Sequence, residues 1–493
     1  MSSDCYDFII VGAGSAGCVL ADRLTACGRY KVLLVEAGGT DNLFWIKVPL
    51  GYAKTFHDAR VNWRYTAAAD PGLNGRRAYW PRGRVIGGSS SINAMAYLRG
   101  LPHDFDDWAA AGATGWGWDT ARQIYETLET QSELTKGGAR RLKGSGPLWV
   151  SEVSDRMHPF SGYFLQAAQD MGWPLSQNLN SDQTEGVMRL RSTAKGSRRW
   201  SAADAFLRPA MTRKNLRVIS CAHVEKVLIK DRVAQGIRYR IGDTLHEARA
   251  AKEVILSAGA VNSPQLLQLS GVGPADLLRR HQIKVHHALP QVGQGLQDHL
   301  GISYFFRAAE PTLNNILGNW LGKAQAGLHY LLTQKGPLSV PVNQVSGFVR
   351  SSPDVRAADM QIYCNPLSYR MAKTGHPDID PRAGFLLCAQ PCRPTSRGTV
   401  SIVSANPWDA PDIQPNSLAT EQDREEAIRA CQILRQLAQT PTLRSVTKIR
   451  LAPDVTTLSD AEMLADFRAR AGTIFHPSCT CRMGHSSADS VLD

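Results

Sequence analysis

Asp7-Phe8-Ile9-Ile10-Val11-Gly12-Ala13-Gly14-Ser15-Ala16-Gly17, followed by Lys31-Val32-Leu33-Leu34-Val35-Glu36-Ala37, decides the fold. An apolar, strand-like run leads directly into glycines spaced G-x-G-x-x-G, and a second such run ends in an acid, which is the pattern of a strand–helix–strand unit built around a dinucleotide. Gly12 permits the tight turn, Gly14 lets backbone amides approach a pyrophosphate, and Gly17 lets the helix pack closely on the strand. The helix N-terminus then meets a dianion. Glu36 stands where a carboxylate accepts ribose hydroxyls and would repel a 2′-phosphate, so an unphosphorylated adenosine ribose is favoured over NADP.

The 493 residues suggest two or three core-forming units. A hydrophobic share of 43% with 20% charged residues is that of an ordinary globular protein, and no apolar run is long enough to span a bilayer. With the first strand so close to Met1, no secretion signal is read, and the expected location is cytoplasmic, with at most peripheral association at the inner face of a membrane. The net charge of +12 is carried by scattered pairs such as Arg76-Arg77, Arg140-Arg141 and Arg198-Arg199, not by one stripe, so no nucleic acid is expected as a partner. Ten cysteines without a signal peptide read as reduced thiols. His476, Cys479, Cys481 and His485 match no zinc spacing, and no metal is expected.

After Glu36 a loop-rich stretch runs to about Gly83, with Asn74-Gly75-Arg76 as a turn, and is expected to wrap over the cofactor. A second glycine knot follows at Gly83-Arg84-Val85-Ile86-Gly87-Gly88-Ser89-Ser90-Ser91-Ile92-Asn93. Leu216–Ile219, Lys226–Ile229 and Gly236–Tyr239 read as a β-meander. Glu253–Ser257 reads as a buried strand, and Ser263-Pro264 as the start of a helix through Leu269. From about Gly301 to Asp454 the texture changes, mixing short strands such as Gly398–Val403 with an amphipathic helix from Gln422 to Ala438.

Four separated blocks together resemble the glucose–methanol–choline family of FAD-dependent oxidoreductases along essentially the whole chain. They are the second glycine knot continuing to Tyr97 and Gly100; Gly259-Ala260-Val261-Asn262-Ser263-Pro264 through Ser270-Gly271-Val272-Gly273; Leu289-Pro290-Gln291-Val292-Gly293 with Leu296-Gln297-Asp298-His299; and Thr473-Ile474-Phe475-His476-Pro477 through Cys481-Arg482-Met483-Gly484. The last is most similar to choline dehydrogenase-like members. The resemblance implies an α/β fold: a Rossmann-like FAD-binding domain with an inserted β-meander (1–155, 190–302 and 465–493) and an α+β substrate-binding domain (156–189 and 303–464). It implies FAD, with Gly12, Gly14, Ser15, Gly17, Glu36 and Ala37 on its ADP half. Val85, Gly88, Asn93 and Ala94 fall near the pyrophosphate and flavin, and Val224 at adenine. Some relatives attach flavin through a histidine; Ile92 holds that place here, so the FAD is expected to be non-covalent.

The family's catalytic histidine matches His476. An alcohol is a poor hydride donor until its O–H proton is shared or removed, and imidazole suits that task. His299 is expected to be a buried, hydrogen-bonded histidine, and Asn343, Gln344 and Tyr363 are candidates for the substrate pocket. The resemblance also implies a further C-terminal strand and a second active-site His or Asn. The chain stops at Asp493, 17 residues past His476, so the partner and the tail are expected to be missing. The expected reaction is oxidation of a primary, choline-like or other alcohol to an aldehyde, with a quinone or other acceptor taking the electrons. An inactive flavin-binding remnant and a hydroxynitrile lyase on the same fold are the alternatives.

Overall fold

Strand β1 (Cys5–Val11) and strand β2 (Val32–Val35) form where the two apolar runs fall, and they pair in parallel from Phe8↔Val32 to Val11↔Val35. Ile9, Ile10, Leu33 and Leu34 are wholly buried, because a parallel strand covered on both faces needs a continuous apolar run. Helix α1 (Ser15–Thr25) covers one face with Cys18 and Ala21. The computed structural model describes residues 5–493 apart from 136, 182 and 372–376.

The sheet is completed by β3 (Leu216–Ile219), β4 (Ala222–Lys230), β5 (Val233–Ile241) and β6 (Thr244–Leu256), in the order β3-β2-β1-β6-β5-β4. Strands β4, β5 and the first part of β6 form the inserted antiparallel meander, while the end of β6 runs parallel to β1. Leu216–Ile219, expected in the meander, instead extends the parallel half by pairing with β2. Its apolar residues suit either role, and only long-range pairing decides.

Helix α2 (Gly259–Leu269) begins four residues before the Ser263-Pro264 start expected from sequence, with Pro264 inside it. Proline cannot donate to the carbonyl one turn back, which leaves the Ala260 oxygen free. The Thr480 hydroxyl donates to that oxygen at 2.6 Å. The proline thus opens an acceptor through which the C-terminal block is tied to the nucleotide sheet.

A second sheet is built from β7 (Leu300–Ala308), β8 (Val345–Val349), β9 (Met360–Asn365), β10 (Gly384–Pro391) and β11 (Thr447–Arg450). Its order is β11-β7-β10-β9-β8, with Gly186–Arg189 beyond β8. The amphipathic helix expected from Gln422 is α3 (Glu421–Ala438), capped by the Thr420 hydroxyl accepting from the Asp423 amide. Ala427, Ala430, Cys431 and Leu434 bury against Phe385 and Leu387. Helix α4 (Asp460–Arg470) follows, and the two-residue strand Gly472–Thr473 pairs with the start of β7, Leu300↔Thr473. That pairing delivers His476 to the junction of the two sheets.

The long segment after Glu36 folds into helical turns and a hairpin, Tyr65–Asp70 with Arg76–Trp80, which turns at Asn74-Gly75 with φ of 56° and 74°. Helix α1 can lie so close to the first turn only because Gly17 has no side chain: a Cβ there would stand 1.9 Å from the Gly12 carbonyl oxygen. Gly327, within the helix Trp320–Thr333, has nothing within 4 Å of that position. Gly17→Ala should therefore cost about 2 kcal/mol or more, whereas Gly327→Ala should add about 0.5–1 kcal/mol. Urea unfolding of the two variants checks this, and equal effects would contradict the packing described.

Candidate active site

A cavity of about 500 Å³ opens at the ends of the parallel strands, within the range of cofactor pockets. Gly12, Gly14, Ser15, Ala16, Glu36 and Ala37 line it from the first motif, Gly83, Gly88 and Ser89 from the second knot, and Val224 from β4. The two knots touch backbone to backbone. The Gly87 amide donates to the Ala13 carbonyl at 2.8 Å, and a Cβ on Gly88 would lie 2.7 Å from the Gly14 Cα. Gly14 itself has only the Ser257 oxygen near its missing Cβ, at 3.8 Å, so packing does not require glycine there. What the missing side chain leaves open is the cavity, beside the N-terminus of α1, as a pyrophosphate requires.

Glu36 is buried at the end of β2, and its carboxylate accepts from the Ala13 and Gly38 amides, each at 2.8 Å. Burial raises its pKa to about 7, against the pull of those amides. The acid therefore braces the glycine turn as well as facing the cavity, and each oxygen keeps a lone pair for ribose hydroxyls. A β-bulge interrupts the β4–β5 ladder between Val224 and Lys226, where β4 borders the same cavity.

His476 stands just beyond Pro477, which lines the cavity. Its segment is held in an uncommon backbone shape, with Phe475 at φ 68° and Cys479 at φ 72°. Asp298 accepts from the His476 amide at 2.8 Å and from the Thr473 hydroxyl. Arg82 donates to the Phe475 carbonyl at 2.6 Å, and Gln297 and Ser478 exchange backbone hydrogen bonds. Burial lifts Asp298 to about 6 and lowers Arg82 to about 10, each partly offset by the other's charge.

The imidazoles of His476 and His299 meet edge to face, with Nδ1 to Nδ1 at 3.1 Å. His299 Nε2 lies 2.8 Å from the Cys392 carbonyl, which can only accept, so in the neutral ring Nε2 carries the proton. His299 Nδ1 is then an acceptor, served by the Gln390 amide at 3.2 Å and by His476 Nδ1–H. His476 Nε2 is left with a bare lone pair. The ring faces open space, yet the surrounding walls, with His299 and Arg82 nearby, lower its pKa to about 4.

Seven of the residues singled out from sequence line the cavity together: Gly12, Gly14, Ser15, Glu36, Ala37, Gly88 and Val224. Gly17 packs behind it, and Val85 is buried with Ile46, Val61 and Ile92. Asn93 is exposed and Ala94 half-buried; Asn93 Oδ1 accepts from the wholly buried Arg199 at 2.6 Å. His299, expected to be a buried, hydrogen-bonded histidine, is half-buried and bonded to His476, Cys392 and Gln390. The Gln344 carbonyl oxygen is taken by the His158 amide and the Ser161 hydroxyl, and Asn343 by Asn365. Arg82 and Asn262 also line the cavity, as do Trp63, His223 and Ser257, which sequence reasoning missed. The Gly259–Pro264 block pointed to Asn262; nothing local marked His223, which stacks on Trp408 at 4.2 Å.

Comparison with known proteins agrees with this geometry. A family profile described as GMC oxidoreductase matches residues 6–301, and its C-terminal counterpart matches residues 394–493. The chain is 40% identical to an alcohol dehydrogenase [acceptor] of Pseudomonas putida, covering 99% of this chain and 88% of the relative. It is also 40% identical to the mitochondrial choline dehydrogenase of Homo sapiens, covering 100% of this chain and 83% of the relative. Among solved structures, pyridoxine 4-oxidase from Mesorbium loti superposes with a TM-score of 0.86 at 29% identity, over 99% of this chain and 90% of that one. With the nucleotide fold, the cavity and the paired histidines in place, the chain belongs to the GMC oxidoreductases, FAD-binding enzymes acting on CH–OH donors.

Proposed function

We propose that this protein oxidises a primary alcohol, choline-like or other, to the aldehyde on non-covalently held FAD and passes the electrons to a quinone or another acceptor. The observation that carries this reading is the imidazole of His476, held beside the cavity through its contact with His299 and through the backbone bonds of Asp298 and Arg82. Gly12, Gly14, Ser15, Glu36, Ala37 and Val224 would hold the ADP half; Gly88, Asn93 and Ala94 would hold the flavin side, with Gly17 and Val85 supporting the two knots. Bound FAD supplies the two-electron acceptor for the hydride that leaves the carbinol carbon.

The chain's own residues handle the proton. His476 Nε2 accepts it from the substrate hydroxyl as the carbon becomes a carbonyl. The positive charge that develops on the imidazole is shared through Nδ1–H with the His299 acceptor, while Asp298 holds the backbone amide and so the position of the ring. Because Phe475, His476 and Ser478 are each pinned through the backbone, the ring keeps its position while its charge changes. The substrate-side domain proposed from sequence (156–189 and 303–464) would close the pocket over it. A quinone acceptor suits a peripheral position at the inner face of a membrane.

His476→Asn should lower kcat/KM about 10²–10⁴-fold while flavin content stays at that of the wild type. Anaerobic addition of an alcohol panel should bleach the oxidised flavin of the wild type. Cyanohydrin cleavage with the flavin still oxidised would overturn the redox reading. The pH profile follows from the lowered pKa: His476 is unprotonated at neutral pH, so kcat/KM should stay level there and fall only as pH drops towards about 4. Asp298→Asn keeps an acceptor for the His476 amide and should leave that limb in place; a limb centred at the ordinary histidine value of about 6.5 would contradict the assignment. Ile92 carries no nucleophilic atom and is buried among Ile46, Val61 and Val85. Acid precipitation should accordingly release all flavin to the supernatant, and fluorescence retained by the polypeptide would refute non-covalent binding.

A further inference from the structure

The helix Trp320–Thr333 is seated the wrong way round for a globular surface. It buries a narrow stripe of Gly322, Ala326 and Tyr330, one residue per turn, while the opposite face carries Trp320, Leu321, Ala324, Leu328, Leu331 and Leu332. At 3.6 residues per turn these six form one stripe about 120° wide, the width of a face that helices normally turn inward. Trp320 is 79% exposed, Leu332 75% and Leu328 59%. Isolated exposed leucines are ordinary, but a continuous apolar stripe along a helix of about 21 Å marks an interaction site.

The underside of the helix is firmly held. Ala326 packs with Leu313, Leu317, Val342 and Leu367, and Leu50 and Tyr52 join that cluster. Leu50 belongs to a turn whose Gly51 lies against the Trp45 carbonyl, and Phe44 and Trp45 are themselves exposed. Two exposed aromatic side chains are thus linked to the helix through the Leu50–Tyr52 turn.

The charge around this surface selects its occupant. No Asp or Glu occurs between Glu310 and Asp354, where the only charged side chains are Lys323, Lys335 and Arg350. Between Asp41 and Asp58 there is again no acid; Lys54 is exposed there, while Lys47 is paired with Asp41 and Asp204. Lys323 and Lys335 are exposed beside the apolar stripe. Leucines and a tryptophan on one side, lysines at the margin and no carboxylate on the helix itself are the properties of a helix that lies in a membrane interface. A second copy of the same face would set its lysines against each other, whereas an anionic headgroup layer neutralises them. Among the described residues no helix is long and apolar enough to cross a membrane.

We propose that the outward face of helix Trp320–Thr333, with Phe44 and Trp45 linked to it through the Leu50–Tyr52 turn, docks this protein on an anionic phospholipid surface. This surface would serve the membrane-side location proposed above, and it is independent of the chemistry at His476: vesicle binding reads the one and dye-linked alcohol oxidation the other. The FAD-loaded protein should float with phosphatidylglycerol/phosphatidylcholine vesicles at low salt and much less with phosphatidylcholine alone. Leu321→Ser, Leu328→Ser and Leu332→Ser combined should weaken binding about a hundredfold or more, through lost apolar burial. Lys323→Glu with Lys335→Glu, which alters no apolar contact, should lower the preference for anionic vesicles about tenfold. Both variants should keep their flavin and oxidise a soluble alcohol with a dye acceptor within about twofold of wild type, as expected of surface changes. Wild-type protein that fails to float, or variants that float as well as wild type, would overturn the proposal. So would a wild-type dimer that the leucine variant converts to monomer without any vesicle binding, since the face would then belong to a second copy of the chain.

Discussion

The close approach of two glycine turns, Gly12–Gly17 and Gly83–Gly88, is the contact on which the site depends. Backbone meets backbone there, Gly88 against Gly14 and Gly83 against Gly88, with spacing that any Cβ would abolish. The hydrogen bond from Gly87 to Ala13 and the bridge between Gly39 and Val85 lock the long segment after β2 back onto the strand ends. Because neither knot carries side chains at the contact, the amides at the start of α1 and the small groups of the second knot stay open to one cavity. Glu36 then stiffens the turn from below through two main-chain amides. The geometry a pyrophosphate needs is thus fixed before any ligand arrives, which lowers the ordering cost of binding.

A second constraint joins the two sheets. His476 belongs by sequence to the extreme C-terminal block, yet its backbone is held by Asp298 from the approach to β7, by Arg82 beside the second knot and, four residues on, by α2 through Thr480 and Ala260. Three elements far apart in the chain therefore agree on the position of one imidazole. Pro264 shows how such agreement is built: a proline that weakens its own helix frees the carbonyl that anchors the C-terminal block.

The parallel core was legible because its signal is local and dense. Apolar runs of four or five residues, glycines at fixed spacing and an acid at the strand end each act within their own neighbourhood, and the cavity they line follows from them. What sequence could not supply was long-range pairing. Leu216–Ile219 has the same apolar pattern whether it starts a meander or extends the parallel half, and pairing with β2 decides the matter. His299 read as a hydrogen-bonded histidine and is one, but nothing in Leu296–His299 reveals that the short Gly472–Thr473 strand will pair beside it and bring His476 to its ring. Gln344 read as a pocket candidate, but its oxygen is committed to His158 and Ser161, far away in sequence. The outward leucines of Trp320–Thr333 are in the same class: periodicity reveals an apolar face, while only the fold reveals which face is turned inward.

Burial acts on the ionisable groups of the site in one consistent direction, towards neutrality. It raises Glu36 to about 7 and Asp298 to about 6, and lowers His476 to about 4 and Arg82 to about 10. For the acids the consequence is stability that declines as pH rises from their unfolded values to their folded ones, since the native state holds the proton more tightly there. His476 acts in the opposite sense: its unfolded form binds the proton more tightly, so its contribution declines as pH falls from about 6.5 to about 4. The two tendencies meet at mildly acidic to neutral pH, where His476 is unprotonated and the carboxylates are near their midpoints. At that pH Arg82 is still charged, and with burial and His299 it keeps the His476 imidazole neutral.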